Sequence, residues 1–283
     1  MRTRKGDFKF RNFYLLLIMF FAVCICNSQV YSMDVMGPAP AEQEAGGFNF
    51  GIEYSYTEMD LDLKDGYYTD LLDGVLYDWG DAQDITMKDL QINRTYARFG
   101  YGITDDAEVY IRLGGMSARF EDTIWQDSEE FSSDVEFAAG AGVKLTFYNQ
   151  DNVKLGGLFQ FSISNFDGQL ESPNWLTSDF VEIDMTEAQI ALGASCKCNE
   201  NLTIYGGPFL HFVSGDISDN MSELSTSPAG LLTSKFDWDI EQRSVFGGCF
   251  GAQINFSEQS SLNLEFQQTS DASTFGMGLL FRF

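Results

Sequence analysis

Hydrophobic and polar residues alternate along much of this chain, and the alternation predicts β-strands. The last eleven residues, 273–283, read S-T-F-G-M-G-L-L-F-R-F. Side chains in a strand point alternately to its two faces, so one face here is apolar and the other carries Gly278 and Arg282. The apolar face consists of Phe275, Met277, Leu279, Phe281 and Phe283. Such a strand would be a liability at the edge of a soluble sheet, whereas a closed barrel in lipid pairs it on both sides.

The same alternation recurs along the chain and predicts ten strands. Their approximate bounds are 47–60, 88–103, 107–121, 132–148, 153–167, 180–198, 202–217, 235–256, 261–269 and 273–283. The connections alternate between long ones (61–87, 122–131, 168–179 and 218–234) and short ones (104–106, 149–152, 199–201 and 257–260). An even strand count, turns that are short on one side only, and apolar residues facing outward are typical of transmembrane barrels. The predicted fold class is therefore an all-β, transmembrane, antiparallel up-and-down β-barrel of about ten strands.

The end of the last strand resembles a known signal. Gly278, Phe281 and the terminal Phe283 resemble the C-terminal sorting signal of bacterial outer-membrane barrels. Over residues 46–283 the chain resembles a small bacterial outer-membrane β-barrel protein. The resemblance implies insertion by the barrel-assembly machinery into outer-membrane lipid. It also implies that the long loops are external and that both termini are periplasmic.

The region before the first strand has two parts. Basic residues between Arg2 and Arg11 precede an apolar run, Phe13 to Ile25, which predicts a signal peptide over residues 1–32 with cleavage after Ser32. The run is too short to span a membrane as a helix. Residues 33–45 contain Pro, Ala and Glu and are predicted to be a flexible periplasmic lead-in, so the barrel domain comprises residues 46–283.

The chain is strongly acidic, with a formal net charge of −25, which argues against nucleic acid as a partner. The four long connections hold fifteen acidic residues and one basic residue, Lys64. Such carboxylates could bind divalent cations, although no complete motif is present and a metal site stays unknown. The longest connection, 61–87, is also rich in aromatic residues, among them Tyr67, Tyr77 and Trp79. We expect it to fold over the barrel mouth or to contact a partner.

Charged residues of both signs occupy inward positions and predict a charge network in the lumen. Its members are Glu53, Arg94, Arg98, Arg112, Glu136, Glu241, Arg243 and Glu265. Barrels of about eight strands have interiors that side chains just fill. A filled interior is therefore expected, and a polar conduit for small solutes is the alternative.

Residues with catalytic potential are few. His211 is the single histidine, and its same-face neighbours Phe209 and Val213 cannot act as partners of a general base. We predict no catalytic residue and no cofactor. Cys196 and Cys198 are predicted to face lipid and Cys249 the lumen, so Cys249 is not expected to bridge to either.

These observations predict a non-enzymatic, integral outer-membrane barrel protein with a structural or surface-binding role through its long acidic external loops. A narrow porin-like channel is the first alternative. An outer-membrane rim hydrolase is the second, because the ten-stranded omptin proteases match the predicted strand count.

Overall fold

The computed structural model describes residues 33–122, 129–171, 177–226, 229–242 and 245–283, and these form a single all-β structure. Its strands are β1 (Phe48–Leu72), β2 (Val75–Asp81), β3 (Ile85–Thr104), β4 (Ala107–Asp122), β5 (Glu129–Ser133), β6 (Glu136–Gln150), β7 (Val153–Glu171), β8 (Thr177–Lys197), β9 (Leu202–Thr226), β10 (Ala229–Gln242), β11 (Phe246–Asn255), β12 (Ser260–Gln268) and β13 (Ala272–Arg282). No helix within the described residues is long and apolar enough to cross a membrane.

The strands close into an antiparallel barrel. β1 pairs with both β3 and β13, which joins the first and last strands of the wall. β5 and β6 both lie between β4 and β7, and β10 and β11 both pair with β9, so each of these two pairs is one interrupted wall strand. Within the described part of the chain, β2 pairs with β1 alone. Leaving out β2 and counting each interrupted strand once gives ten positions around the wall, which confirms the predicted barrel.

The predicted bounds and faces agree with the structure at one end of the barrel. We call this the turn end; its connections are 105–106, 151–152, 198–201 and 256–259. There the predicted and observed bounds agree to within two residues. Gly140 faces inward, because a Cβ atom on it would lie 3.3 Å from the Arg112 guanidinium group. The outward side chains are apolar and exposed, and they form an apolar belt that includes Ile52, Phe99, Ile111 and Leu192.

At the opposite, extended end, the wall is much longer than predicted. A transmembrane strand needs about 9–11 residues, whereas β1 and β9 have 25 residues each. The predicted long loop 61–87 is wrong, because it consists largely of the end of β1, all of β2 and the start of β3. Asp73 and Gly74 join β1 to β2 with φ angles of 50° and 77°. Two successive positive φ values are what a tight two-residue hairpin turn requires, and Asp-Gly is a favoured pair for it.

The polarity of the two strand faces is reversed between the turn end and the extended end. On β1, the inward side chains up to Thr57 are polar or small, and those after it are Met59, Leu61 and Leu63, none more than 1% exposed. The outward residues change in the opposite sense, to Glu58, Asp60 and Asp62. Other strands repeat this change, and together they build an apolar upper core. It includes Met59, Leu61, Leu63, Leu90, Ile92, Met116, Phe120, Phe131, Phe166, Val181, Ile183, Met185, Ile217, Trp238 and Ile240.

The barrel also loses two strands towards the extended end. β13 pairs with β1 from Asn49 to Met59, and β10 then takes its place from Leu61 to Leu72. The short β12–β13 hairpin therefore fills only the lower part of the wall, and eight of the ten strands continue above it. A barrel of about eight strands is just wide enough for side chains to fill its interior. The narrowing explains why the upper core is closely packed.

Candidate functional site in the lumen and at the extended end

Residues 33–43, which we call the plug, lie inside the barrel. Met33, Met36 and Ala41 are at most 2% exposed. The chain leaves the lumen at the turn end, where the Gly46 N–H donates to the Gly102 carbonyl oxygen at 2.8 Å. The prediction of a flexible periplasmic lead-in is therefore wrong for these residues. The prediction failed because the composition of this segment resembles that of a linker, whereas polar groups in the lumen bind the segment and hold it in place.

Asp34 is at the centre of a buried charge cluster. Arg112 Nη2 lies 2.8 Å from Asp34 Oδ2, and Arg94 Nε lies 3.6 Å from Asp34 Oδ1. Arg94 also pairs with Glu187 on β8, and Glu187 Oε2 lies 3.1 Å from His211 Nε2. The cluster thus extends across the lumen from β3 and β4 to β8 and β9. Buried charges are tolerated when they are paired in this way.

Lumen side chains also bind the backbone of the plug. An extended segment without a neighbouring strand needs other partners for its N–H and C=O groups. The bonds are Gln267 Nε2 to the Asp34 oxygen (2.7 Å), Met36 N to Glu265 Oε1 (2.8 Å), Lys144 Nζ to the Pro38 oxygen (2.8 Å) and Ala41 N to Thr146 Oγ1 (3.0 Å). These partners come from β6 and β12, so the plug is held from several sides.

Glu42 anchors the end of the plug nearest the turn end. Its carboxylate lies 3.3 Å from Lys144 Nζ and 2.9 Å from Arg282 Nη2. Burial alone would raise the pKa of Glu42, but Lys144 and Arg282 lower it to about 2. Beyond Glu42 a vestibule of about 610 Å³ opens at the turn end, and Lys154 and Lys197 are among its lining residues.

Most of the predicted lumen charges face inward. Arg98 lies between Glu53 and Glu108, at 3.4 Å and 2.8 Å. Glu265 is buried and accepts from Met36 in the plug, and Glu136 is half-buried beside the break between β5 and β6. The acid that joins Arg94 to Arg112, Asp34, was absent from the prediction because the plug was expected outside the barrel.

Glu241 is wrongly predicted, and Arg243 lies outside the described residues. Glu241 is on the outer wall, where its carboxylate accepts a hydrogen bond from Lys64 Nζ at 2.6 Å; both side chains are exposed. The inward positions of β10 here are taken by Trp238 and Ile240. Extending the membrane pattern of apolar outside and polar inside into this part of β10 gave the wrong face.

His211 is fully buried. It lies between Glu187 and Gln242, whose Nε2 atom is 3.1 Å from His211 Nδ1. Its acidic partner comes from the neighbouring strand β8, so a search along the strand of His211 itself could not find it. The ring is packed in the lumen as a member of the buried charge cluster that contains Asp34.

The β1–β2 hairpin leaves apolar side chains exposed at the extended end. We define the hairpin patch as Tyr67, Val75, Leu76, Tyr77 and Trp79, which are between 41% and 69% exposed. The ring centroids of Tyr67 and Trp79 are 6.2 Å apart. Exposed apolar side chains gathered in this way are typical of an interaction surface.

The described residues include no group of three or more His, Cys, Asp or Glu side chains placed to hold a metal ion. Cys196, Cys198 and Cys249 are free thiols.

The residues of the proposed sorting signal lie at the seam of the barrel. Phe283 N donates to the Phe48 carbonyl oxygen at 2.8 Å, and Phe48 N donates back to Phe283 at 3.2 Å. Gly278 is opposite Glu53, and Phe281 is opposite Phe50 on β1. The last strand therefore completes the closure of the wall.

No protein-family model and no curated protein matches this chain. Solved structures do match. The translocator domain of the autotransporter NalP from Neisseria meningitidis is 12% identical, with 86% of this chain and 89% of that chain covered and a TM-score of 0.42. The outer-membrane protease OmpT from Escherichia coli is 13% identical (83% and 97% covered, TM-score 0.42). An outer-membrane channel from Pseudomonas putida F1 is 9% identical (89% and 100% covered, TM-score 0.41).

These similarities are low, so we base the classification on the chain itself. The wall closes through β1 and β13, and an apolar belt surrounds its lower part. Only a closed barrel lets strands cross lipid with every backbone group paired. This chain has the fold of a transmembrane β-barrel.

Proposed function

We propose that this protein is a closed, non-enzymatic barrel that binds a partner at the cell surface through its extended end. In this proposal the extended end faces the exterior, and the turn end and both termini face the periplasm. Outer-membrane barrels have short periplasmic turns and longer external segments, which supports this orientation. The observation that carries the proposal is the contrast between a lumen filled at two levels and a hairpin patch left exposed.

The plug and the apolar upper core both fill the lumen, which argues against the channel alternative. A channel needs a continuous polar path through the protein. Here the plug occupies the lower lumen, and side chains such as Ile92, Phe131 and Ile217 fill the upper one. Removing the plug would still leave the apolar upper core in place.

The burial of His211 argues against the hydrolase alternative. A general base must reach the proton that it abstracts from the substrate or from a water. His211 is fully buried, and both of its ring nitrogens are engaged by Glu187 and Gln242. These contacts support a structural role for the histidine.

Single-channel recording in planar bilayers tests the closed state. We expect no conductance steps from the intact protein and none from a variant that lacks residues 33–43, because the upper core remains. A variant without the plug that also carries Phe131→Ser and Ile217→Ser serves as the positive control. Steady steps from the intact protein would contradict the proposal.

Labelling on whole cells tests the orientation. In a chain with Cys196, Cys198 and Cys249 replaced by serine, Tyr77→Cys should react with a membrane-impermeant maleimide on intact cells. Asp151→Cys, in a short turn, should react only after the cells are opened. The reverse result would place the extended end in the periplasm.

We also propose that the barrel-assembly machinery recognises the last strand through Gly278, Phe281 and Phe283. Phe283→Ser should sharply reduce the amount of heat-modifiable barrel in outer-membrane fractions, whereas Phe256→Ser, in a neighbouring turn, should not. Unchanged levels of the Phe283 variant would contradict this role.

A further inference from the structure

The strand β2 has a free edge. Among the described residues it pairs with β1 alone, while the main wall continues from β1 to β3. All its residues except Gly80 are exposed, so both faces of this seven-residue strand are in contact with solvent. An exposed edge of this kind presents unpaired N–H and C=O groups and can accept a further strand.

One edge amide already takes a substitute acceptor. The Trp79 N–H donates to the side chain of its neighbour, Asp78 Oδ1, at 2.9 Å. Asp78 is exposed and also accepts from the Tyr68 hydroxyl group at 3.4 Å. A backbone carbonyl from an added strand could replace this side-chain acceptor.

The charges around β2 determine which kind of strand fits. Acidic side chains surround it and are exposed; they are Asp65, Asp73, Asp78, Asp81 and Asp84. Two basic side chains of the neighbouring wall are already engaged, Lys64 with Glu241 at 2.6 Å and Lys235 with Asp237 at 2.9 Å. Lys88 near the start of β3 is exposed, so the acidic side chains still outnumber the basic ones around β2. A second copy of this chain would bring the same acids to the edge and be repelled. A cationic strand would be attracted.

The aromatic side chains favour the same partner. Trp79 and Tyr67 lie close together and are 61% and 41% exposed. Lysine and arginine side chains stack on exposed indole and phenol rings, and their aliphatic stems cover apolar surface. The hairpin patch thus offers a place for the side chains of a basic strand as well as for its backbone.

We propose that the free edge of β2 binds an extended, cationic peptide segment of a protein partner, which pairs with β2 as an additional strand. The backbone groups of β2 would hold the segment, as in other cases of strand addition, and the aspartates and Trp79 would select basic residues. This inference rests on the proposed surface-binding function and specifies the chemistry of the partner.

A synthetic peptide tests the inference directly. The probe is a dye-labelled seven-residue peptide, Lys-Val-Lys-Tyr-Arg-Val-Lys, matched in length to β2. Its binding to the whole protein in detergent micelles is followed by fluorescence anisotropy at several salt concentrations. One control peptide has N-methyl groups on alternate amides, and the other has glutamate in place of each basic residue. We expect saturable binding of the probe that weakens with salt, and no measurable binding of either control.

Protein variants locate the binding site. Trp79→Ala should weaken binding of the probe by about tenfold or more, since a central aromatic residue often dominates an interface. Asp78→Asn with Asp81→Asn should weaken it and reduce its salt dependence. The matched control, Glu182→Gln with Asp184→Gln, removes two exposed acids from the outer wall of β8 and should bind like the unmodified protein. Heat-modifiable mobility on gels checks that each variant is folded.

Several outcomes would overturn the inference. Equal binding of the N-methylated peptide would mean attraction by charge without strand pairing. Unchanged affinity in the β2 variants would place the site elsewhere, and dimerisation lost in Trp79→Ala would identify a second copy as the occupant. If the protein shows no conductance in bilayers and does not bind the peptide, the cationic strand is rejected and the proposal of a closed barrel is kept. If the protein binds the peptide but shows conductance steps, the closed barrel is rejected and peptide binding at β2 is kept.

Discussion

The lower and upper parts of this barrel are built from the same strands with opposite patterns. Near the turn end, β1 exposes Ile52 outward and buries Glu53 in the lumen. Nine residues further along, Leu61 is buried inside and Asp62 is on the outer face. The lower wall has the apolar outside and polar interior of a barrel in lipid, and the upper wall has the polar outside and apolar inside of a water-soluble barrel. The comparison teaches that the solvent around a strand, and not the strand itself, decides which face is apolar.

The largest expected effect is the difference in stability between a substitution in the upper core and one in the outer belt. Phe166 is fully buried in the upper core, whereas Phe161, on the same strand, belongs to the outer belt and is 42% exposed. Phe166→Ala should lower the free energy of unfolding by about 3–5 kcal/mol, because it leaves a cavity in a packed core. Phe161→Ala should cost clearly less. Urea unfolding of both variants in detergent measures the difference, and equal losses would contradict the inverted pattern.

A charge on the outer wall gives the next largest contrast. Ala141 faces outward in the belt beside Gly140 and Gly142. Ala141→Arg should destabilise the barrel by about 2–4 kcal/mol near the bilayer midplane. Glu182→Arg, on the outer face of the extension, should change the stability by less than about 0.5 kcal/mol, as is usual for exposed sites. Refolding into lipid vesicles measures both; a similar cost at both positions would mean that lipid reaches the extension.

Removal of the central plug charge should have a smaller, local effect. Asp34→Asn leaves Arg94 and Arg112 short of a charged partner, which typically costs about 1–3 kcal/mol. We expect the plug to loosen while the wall stays folded, so Met36→Cys should become reactive towards maleimide in the Asp34→Asn background. Glu44→Gln, at an exposed position, is the matched control. A plug that stays protected without Asp34 would show that the cluster does not hold it.

The smallest effect concerns pH. The pKa of Glu42 is lowered, so its ion pairs stabilise the bound plug fully above the ordinary value of 4.5, and this stabilisation is lost as the pH falls towards about 2. Hydrogen exchange of residues 38–43, corrected for intrinsic rates, should be constant from neutral pH down to about pH 5 and should accelerate below it. In Glu42→Gln this acceleration should be reduced. Acceleration on raising the pH from neutral would have the wrong sign for this account.

The lower wall could be predicted from the sequence because one local rule, the alternation of apolar and polar residues, describes all its strands. Alternation with apolar residues outward found the ten strands, the inward arginines Arg94, Arg98 and Arg112, and the closing strand that ends at Phe283. The rule failed where the solvent changes. The upper parts of β1 and β9 were interpreted as loops, because their acidic outward residues look like exposed connections when the membrane pattern is expected.

The plug could not be predicted, for a different reason. Its Pro- and Ala-containing sequence has no pattern of its own, and its burial depends on residues far along the chain. Asp34 pairs with Arg112, and the Met36 N–H donates to Glu265. The predicted network already contained as many acids as arginines, so nothing in the sequence indicated that a further acid from residues 33–43 lies between Arg94 and Arg112.

The most direct test of the inverted wall is the environment of neighbouring residues on β1. Spin labels attached to single cysteines at Ile52, Leu61 and Asp62, in protein reconstituted into vesicles, can be probed with oxygen, which concentrates in lipid, and with a water-soluble nickel complex. The account predicts that the label at residue 52 is accessible to oxygen, the label at residue 62 to nickel, and the label at residue 61 to neither. A label at residue 61 that is more accessible to oxygen than the label at residue 62 would show that the membrane pattern continues along the strand, and would contradict the account.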